Sequence, residues 1–324
     1  MRRRAARWWI LPAALAAATV FGCGKGGSGS GGGADGAPSA ADIRQTMSEL
    51  ANRPRREAAI RKLGRWKVQA AARPILGHLR DPDPAISLAA AWALGEIGDP
   101  NEEILQRLRV ALTAEKDPRI AAEVARSLGK LHDAGAVFVL VEGGLTHWAA
   151  EVRQAAAEAL VAVGPPAGPL LRKALTHPKE HVRALAAVAL GRLKDASAAE
   201  ALVAVLRDEQ SEAVRSAAAA ALASIGAPAV EPLMVAFTLR NPPARFKAEA
   251  GDVLKRIGRP AAGGVARWLV ETIDIAAPAD LLVMIDALGR IGDPNSAAAL
   301  RRATKHYDPK VKAAAEAALK KLKP

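Results

Sequence analysis

Two histidines four residues apart, a lone thiol, and arginines and lysines at recurring positions are the features of this 324-residue chain whose types could do chemistry. His177 and His181 have the spacing at which one helix face offers two imidazoles to a metal. His177 precedes Pro178, however, which places it in a turn, and no third ligand stands near in sequence. The pair therefore reads as part of a solvated turn. Cys23 is the only cysteine, which excludes an intrachain disulfide framework and a cysteine-based zinc centre. No serine, histidine and acid combination stands out, no carboxylate pair marks a pocket, and no glycine-rich phosphate loop follows a strand. No catalytic residue, metal ligand or cofactor is expected from these residues.

What must position the side chains is a repeat. Half the residues are apolar but only 3% are aromatic, and alanine supplies nearly half of the apolar count. That composition suits many thin, closely packed layers better than one large core. From Ala41 onward a single pattern recurs, centred on Leu63, Leu94, Leu128, Leu160, Leu190, Leu222, Leu254, Leu288 and Leu319. The intervals are 31, 34, 32, 30, 32, 32, 34 and 31 residues. Counting each leucine as position 0, apolar residues fall at −8, −5, −4, −1, 0 and +3, the period of an amphipathic helix. Gly98, Gly164, Gly226, Gly258 and Gly292 stand where such a helix ends in a left-handed residue. A shorter, more varied helix precedes it, as in Pro74–Leu79, Ala201–Leu206 and Pro232–Phe237. The seventh copy departs most, with Gly251 at an alanine position and Pro260 to Gly264 interrupting the start of the next helix, so a bend or looser joint is expected there.

The amino-terminal segment has a different character. Arg2, Arg3, Arg4 and Arg7 precede an apolar stretch from Trp8 to Gly22, the order of a secretory signal. The apolar run is about 15 residues with Pro12 inside it, short of the roughly 20 that span a bilayer. Val20-Phe21-Gly22-Cys23 resembles the bacterial lipobox, although Phe21 is bulkier than usual there. The resemblance implies removal of residues 1–22 and a lipid on Cys23. Residues 23–40 then form a glycine- and serine-rich tether with no means of packing a core. By resemblance to Gram-negative lipoprotein sorting, Gly24 after the cysteine implies the outer membrane. The expected address is the bacterial cell envelope, lipid-anchored on the periplasmic face of the outer membrane or at the cell surface.

The repeat itself resembles HEAT repeats, and more closely the HEAT-like subtype of the phycobilisome lyases. The resemblance rests on Ala89–Pro100, Ile285–Pro294 and the turns Glu151-Val152-Arg153, His181-Val182-Arg183, Ala213-Val214-Arg215 and Lys310-Val311-Lys312. It covers residues 41–324 and implies an all-α fold, a right-handed α-solenoid of about nine two-helix units. Neither the ankyrin TPLH signature nor the TPR aromatic pattern is present. The resemblance further implies that the Val-Arg arginines bond to turn acids of adjacent units, and that the second helices line the concave, binding face.

On that face, positions −2 and +2 lie nearly in one stripe. They carry Arg61, Arg65, Trp92, Arg126, Lys130, Arg192, Arg256, Arg290 and Lys321, offset by Glu96, Glu158, Asp252 and Asp286. Two readings stand open: a basic ladder for an acidic partner, or long stems covering alanine-rich helices with their charged heads in water. Trp92 is either an interface anchor or a cover over the groove between units. Trp66, Trp148 and Trp268 lie near helix ends and read as local packing. The formal charge of +13 leaves +9 once residues 1–22 are removed. The expected function is a non-catalytic scaffold or adaptor that holds a protein partner. The alternatives are a lyase-type enzyme related to the HEAT-like bilin lyases, or binding of anionic polymers or nucleic acid; export argues against nucleic acid.

Overall fold

The computed structural model describes residues 37–239 and 242–322; the signal segment, Cys23 and most of the tether lie outside the described residues. Among the described residues are 18 α-helices and no strand. They alternate in two rows. The first helices are α1 (Ala40–Glu49), α3 (Ala72–Leu76), α5 (Glu102–Ala114), α7 (Val137–Val139), α9 (Gly168–Ala174), α11 (Ala199–Asp208), α13 (Val230–Thr238), α15 (Arg259–Thr272) and α17 (Ala297–Ala303). The second helices are α2 (Arg53–Arg65), α4 (Pro84–Ile97), α6 (Pro118–Lys130), α8 (Ala150–Val163), α10 (Glu180–Leu193), α12 (Glu212–Ile225), α14 (Ala244–Ile257), α16 (Pro278–Ile291) and α18 (Pro309–Lys321). The nine leucine-centred copies are nine helix pairs, an α-solenoid.

Local chemistry sets the boundaries. Asp83, Asn101, Asp117, Ser211 and Asp308 each accept a backbone N–H of the first turn that follows, and Ser39 forms a reciprocal capping box with Asp42. Prolines 84, 118, 278 and 309 occupy first-turn positions whose missing N–H costs nothing. At the far ends the five glycines do adopt positive φ, from 70° to 88°. Gly98 and Gly292 are left-handed, whereas Gly164, Gly226 and Gly258 have ψ between −149° and −131°, a region open to glycine alone. Three copies without glycine turn on Lys67, His132 and Lys194 instead, at φ 50° to 52°.

The second helices stack through small residues. Gly64, Gly95, Gly129, Gly191 and Gly289 all stand at position +1, and each faces position −1 of the next second helix: Ala93, Ser127, Ala159, Ala221 and Ala318. A methyl group built on Gly191 would lie 2.6 Å from the Ala221 Cα, and on Gly129 2.7 Å from the Ala159 Cα, so only glycine permits the approach. Ser127 adds a buried hydrogen bond, its hydroxyl donating to the Ala91 carbonyl at 2.7 Å. Three copies carry Val161, Ala223 and Lys255 at position +1, and there α8 meets α10, α12 meets α14 and α14 meets α16 less intimately. The first helices approach one another less closely than the second helices do. Rows of unequal spacing curve toward the closer one, in agreement with the expectation that the second-helix row is the inner side.

The seventh copy corrects one expectation. Pro260 and the glycines after it do not interrupt a helix, because α15 runs unbroken from Arg259 to Thr272. Pro260 sits in the first turn, and Ala261, Val265, Trp268 and Leu269 bury one continuous face that outweighs the glycine penalty of about 1 kcal/mol per residue. Gly251 also has a packing role: a methyl there would lie 2.5 Å from the Val283 Cγ1 of α16.

Candidate partner-binding surface

The turn ahead of each second helix is held by two positions. At −13, Asp81, Glu115, His147, His177, Glu209 and His306 each accept the backbone N–H two residues on, at 2.8–3.1 Å. At −7, Arg56, Arg153, Arg183 and Arg215 each donate to the carbonyls of positions −13 and −12, as Arg183 does to His177 and Pro178 at 2.9 and 3.1 Å. Three of these arginines also reach forward to the next copy. Arg183 forks onto Glu209 at 2.6 and 3.1 Å, Arg56 meets Asp81 at 3.1 Å, and Arg215 meets Glu249 at 3.0 Å. The Arg183 hydrogen bond is the main reason the Glu209 carboxyl is held below the usual carboxylate range. Of the Val-Arg arginines, Arg183 makes the expected bond to a turn acid of the adjacent unit, Arg215 meets an acid within the next second helix instead, and Arg153 bonds to the carbonyls of its own turn; His177 is a turn acceptor. Its neighbour in sequence, His181, is half-buried with Nε2 unpartnered, and among the described residues no cluster of three ligating side chains could hold a metal.

The inner stripe is less uniform than its sequence. Arg61 is paired with Glu57 at 2.8 Å, Arg126 with Glu123 at 2.8 Å, Lys130 with Glu96 at 2.6 Å and Arg290 with Asp286 at 3.1 Å. Lys130–Glu96 joins α6 to α4 and so ties two copies together. Exposed pairs of this kind add at most about 1 kcal/mol each, but they do blunt the positive field. Arg65, Arg192, Arg256 and Lys321 are exposed and make no ion pair among the described residues. These four are spread over copies one, five, seven and nine, so the structure brings no two of them together in neighbouring copies.

Trp92 is half-buried and joins the core. Its ring lies over Gly64, within 2.8 Å of where a methyl there would stand, so it covers the groove between α2 and α4. Of the three tryptophans read as local packing, Trp268 fits, buried with its ring edge-on to Phe237 at 5.2 Å. Trp66 is half-buried beneath the Lys62 ammonium at 4.5 Å. Trp148 does not fit: it is 74% exposed in the turn before α8, with only His147 stacked on it. Val235, Leu239, Ile275 and Tyr307 are also exposed, and none was singled out by the repeat pattern. Their signal is an apolar residue at a turn or outward position that carries polar residues in other copies.

These geometries agree with comparisons to known proteins. The family model described as HEAT repeats matches residues 41–109, 140–223 and 168–255. Phycocyanin operon protein Y of Pseudanabaena tenuis is 35% identical over 89 residues, 28% of this chain and 21% of that protein, so the match spans about a fifth of that relative's length. Among solved structures, human deoxyhypusine hydroxylase in complex with glycerol is 23% identical, covering 81% of this chain and 99% of that one, with a TM-score of 0.35. The CpcE and CpcF complex of phycocyanin lyase from Nostoc sp. PCC7120 is 26% identical over 73% of this chain and 97% of that chain, with a TM-score of 0.39. Kap95p in its complex with RanGDP is 14% identical, covering 87% of this chain and 44% of that one at a TM-score of 0.50, a likeness of fold. With the family model spanning more than half of its length and helix pairs in every copy, the chain belongs to the HEAT-repeat family.

Proposed function

We propose that this protein is a membrane-tethered, non-catalytic scaffold, anchored at the cell envelope by a lipid on Cys23, which holds an acidic protein partner along its second-helix row. One observation carries this reading. Arg65, Arg192, Arg256 and Lys321 spend their charge on no packing or pairing role among the described residues, yet recur at one position of an inner row whose buried positions are filled. A solenoid exposes such a row along its whole length, which suits a partner with an extended surface. The test is in-cell crosslinking of the tagged protein in its native host, beside an Arg65→Glu, Arg192→Glu, Arg256→Glu variant whose thermal unfolding matches the parent. A partner captured by the parent and lost by the variant supports the inner row; equal capture by both removes it. Metabolic labelling with a palmitate analogue, abolished by Cys23→Ser, tests the anchor separately.

A second reading, a lyase-type enzyme, draws on the 35% identical stretch shared with the phycocyanin operon protein. Coexpression with phycocyanin subunits and a bilin decides it, because covalent chromophore on the acceptor would replace the scaffold reading.

A further inference from the structure

The most continuous hollows lie on the opposite, first-helix row. One of about 530 Å³ opens between α9 and α11, one of about 360 Å³ between α11 and α13, and one of about 220 Å³ between α13 and α15. They are successive parts of one groove: Ala204 lines the first and second, and Glu231 and Val235 line the second and third. The middle of the groove is aliphatic, built from Val203, Ala204, Pro232, Val235, Ala236 and Leu239. Val235 and Leu239 are 53% and 45% exposed there, as apolar side chains of a binding groove are before it is filled.

The rim has a charge of its own. Glu200, Glu231 and Glu271 stand along it, exposed and without an ion pair among the described residues. Of the arginines lining it, Arg207 is already forked onto Asp208 at 2.7 Å, Arg183 onto Glu209 at 2.6 Å and Arg172 is paired with Asp195, which among the described residues leaves Arg267. In a chain whose formal charge is +13, an apolar groove edged by unpaired carboxylates is a local reversal of sign, and it favours a cationic partner.

We propose that this groove across α9, α11, α13 and α15 is a second docking surface, and that its occupant is an amphipathic helix of a protein partner, with aliphatic side chains on one face and lysine or arginine flanking them. The repeat fixes the spacing. Neighbouring helices stand roughly 8–10 Å apart, and an α-helix returns the same face after seven residues, roughly 10.5 Å. Anchors at i and i+7, with i+3 or i+4 between them, therefore fall into successive hollows. The scaffold then has two faces of opposite preference, a cationic inner row and an acid-rimmed apolar outer groove, so it can hold two unlike partners at once.

The probe is a library of random peptides several helical turns long, displayed on phage and selected against the full-length protein in detergent. The expected pool carries aliphatic residues at helical spacing between lysines or arginines. Its binding weakens by at least about tenfold in Val235→Asp and in Leu239→Asp, both exposed positions whose substitution leaves the core intact. Glu200→Lys with Glu231→Lys weakens the basic peptides and admits acid-flanked ones. The inner-row variant Arg65→Glu, Arg192→Glu, Arg256→Glu binds them unchanged, which separates this groove from the surface proposed above. A pool with acidic or no flanking charge, or binding indifferent to both Val235→Asp and Leu239→Asp, overturns the proposal.

Discussion

At position −13 of the repeat, aspartate, glutamate and histidine do one job, accepting the N–H that opens the turn. The interchange works because the acceptor needs only a lone pair at the end of a short side chain, but it is not neutral in pH. His147 Nδ1 must be unprotonated to accept from Ala149, and burial, ahead of the Arg153 charge, lowers its pKa from the usual 6.5. Burial does the same to His181. A depressed imidazole means that the unfolded chain takes up the proton first, so stability is full above about pH 6.5 and declines as pH falls toward the folded-state value. Urea unfolding at pH 7.5 and 5.5 should show a lower midpoint at the acid value. His147→Asp, which installs the Asp81 solution, should keep the turn and remove part of the difference, leaving the part due to His181. An equal difference in parent and variant would show that His147 has no share in it. Carboxylates held low by their partners, Glu209 among them, lose their share only in a more acid range.

At the scale of the element, glycine within a helix usually costs stability, and here its effect depends on what it faces. Helix propensity alone predicts that Gly→Ala gains about 1 kcal/mol anywhere in a helix interior. At Gly191 and Gly129 the new methyl would collide with the backbone of the next second helix, so Gly191→Ala and Gly129→Ala should instead lose about 1–3 kcal/mol. Gly263 in α15 has nothing within 4 Å of its missing methyl, and Gly263→Ala should therefore stabilise. Chemical denaturation of the three variants checks the reversal, and three gains would mean that the rows slide to relieve the clash. The same contrast explains what could be read from sequence. The period and the glycines that end five of the second helices were legible because each acts within its own copy, through spacing and backbone conformation. Contacts between copies were legible only through the resemblance or, for Trp92, as one of two open readings. Trp92 covers Gly64 because glycine falls at +1 of the preceding copy, and α15 survives Pro260 because its buried face continues beyond the glycines. The basic stripe was visible as a list of cations, but its pairing with Glu57, Glu96, Glu123 and Asp286 depends on rotamers and on the neighbouring helix.

For the whole molecule, stability in a repeat array is a sum of copies and of the joints between them. Joints with the +1 glycine are the close ones, and from α12 to α16 two joints in succession lack it. Hydrogen exchange should open α13 to α15 at lower free energy than α4 to α6, where Gly95 and the Ser127 hydroxyl lock neighbouring second helices. Exchange at one common free energy throughout would mean that the array unfolds as a unit. The outer groove crosses this looser stretch, so a helix seated across α11, α13 and α15 should raise the protection there.

The glycine-to-alanine approaches of the second row also have a mechanical meaning. Backbones already in van der Waals contact cannot be pressed closer, so at the glycine joints that row resists shortening. The first helices, held further apart, form the side that can lengthen or shorten. Bent toward that row, such a body should yield first where two joints in succession lack the glycine, between α12 and α16, as a leaf spring hinged off-centre does.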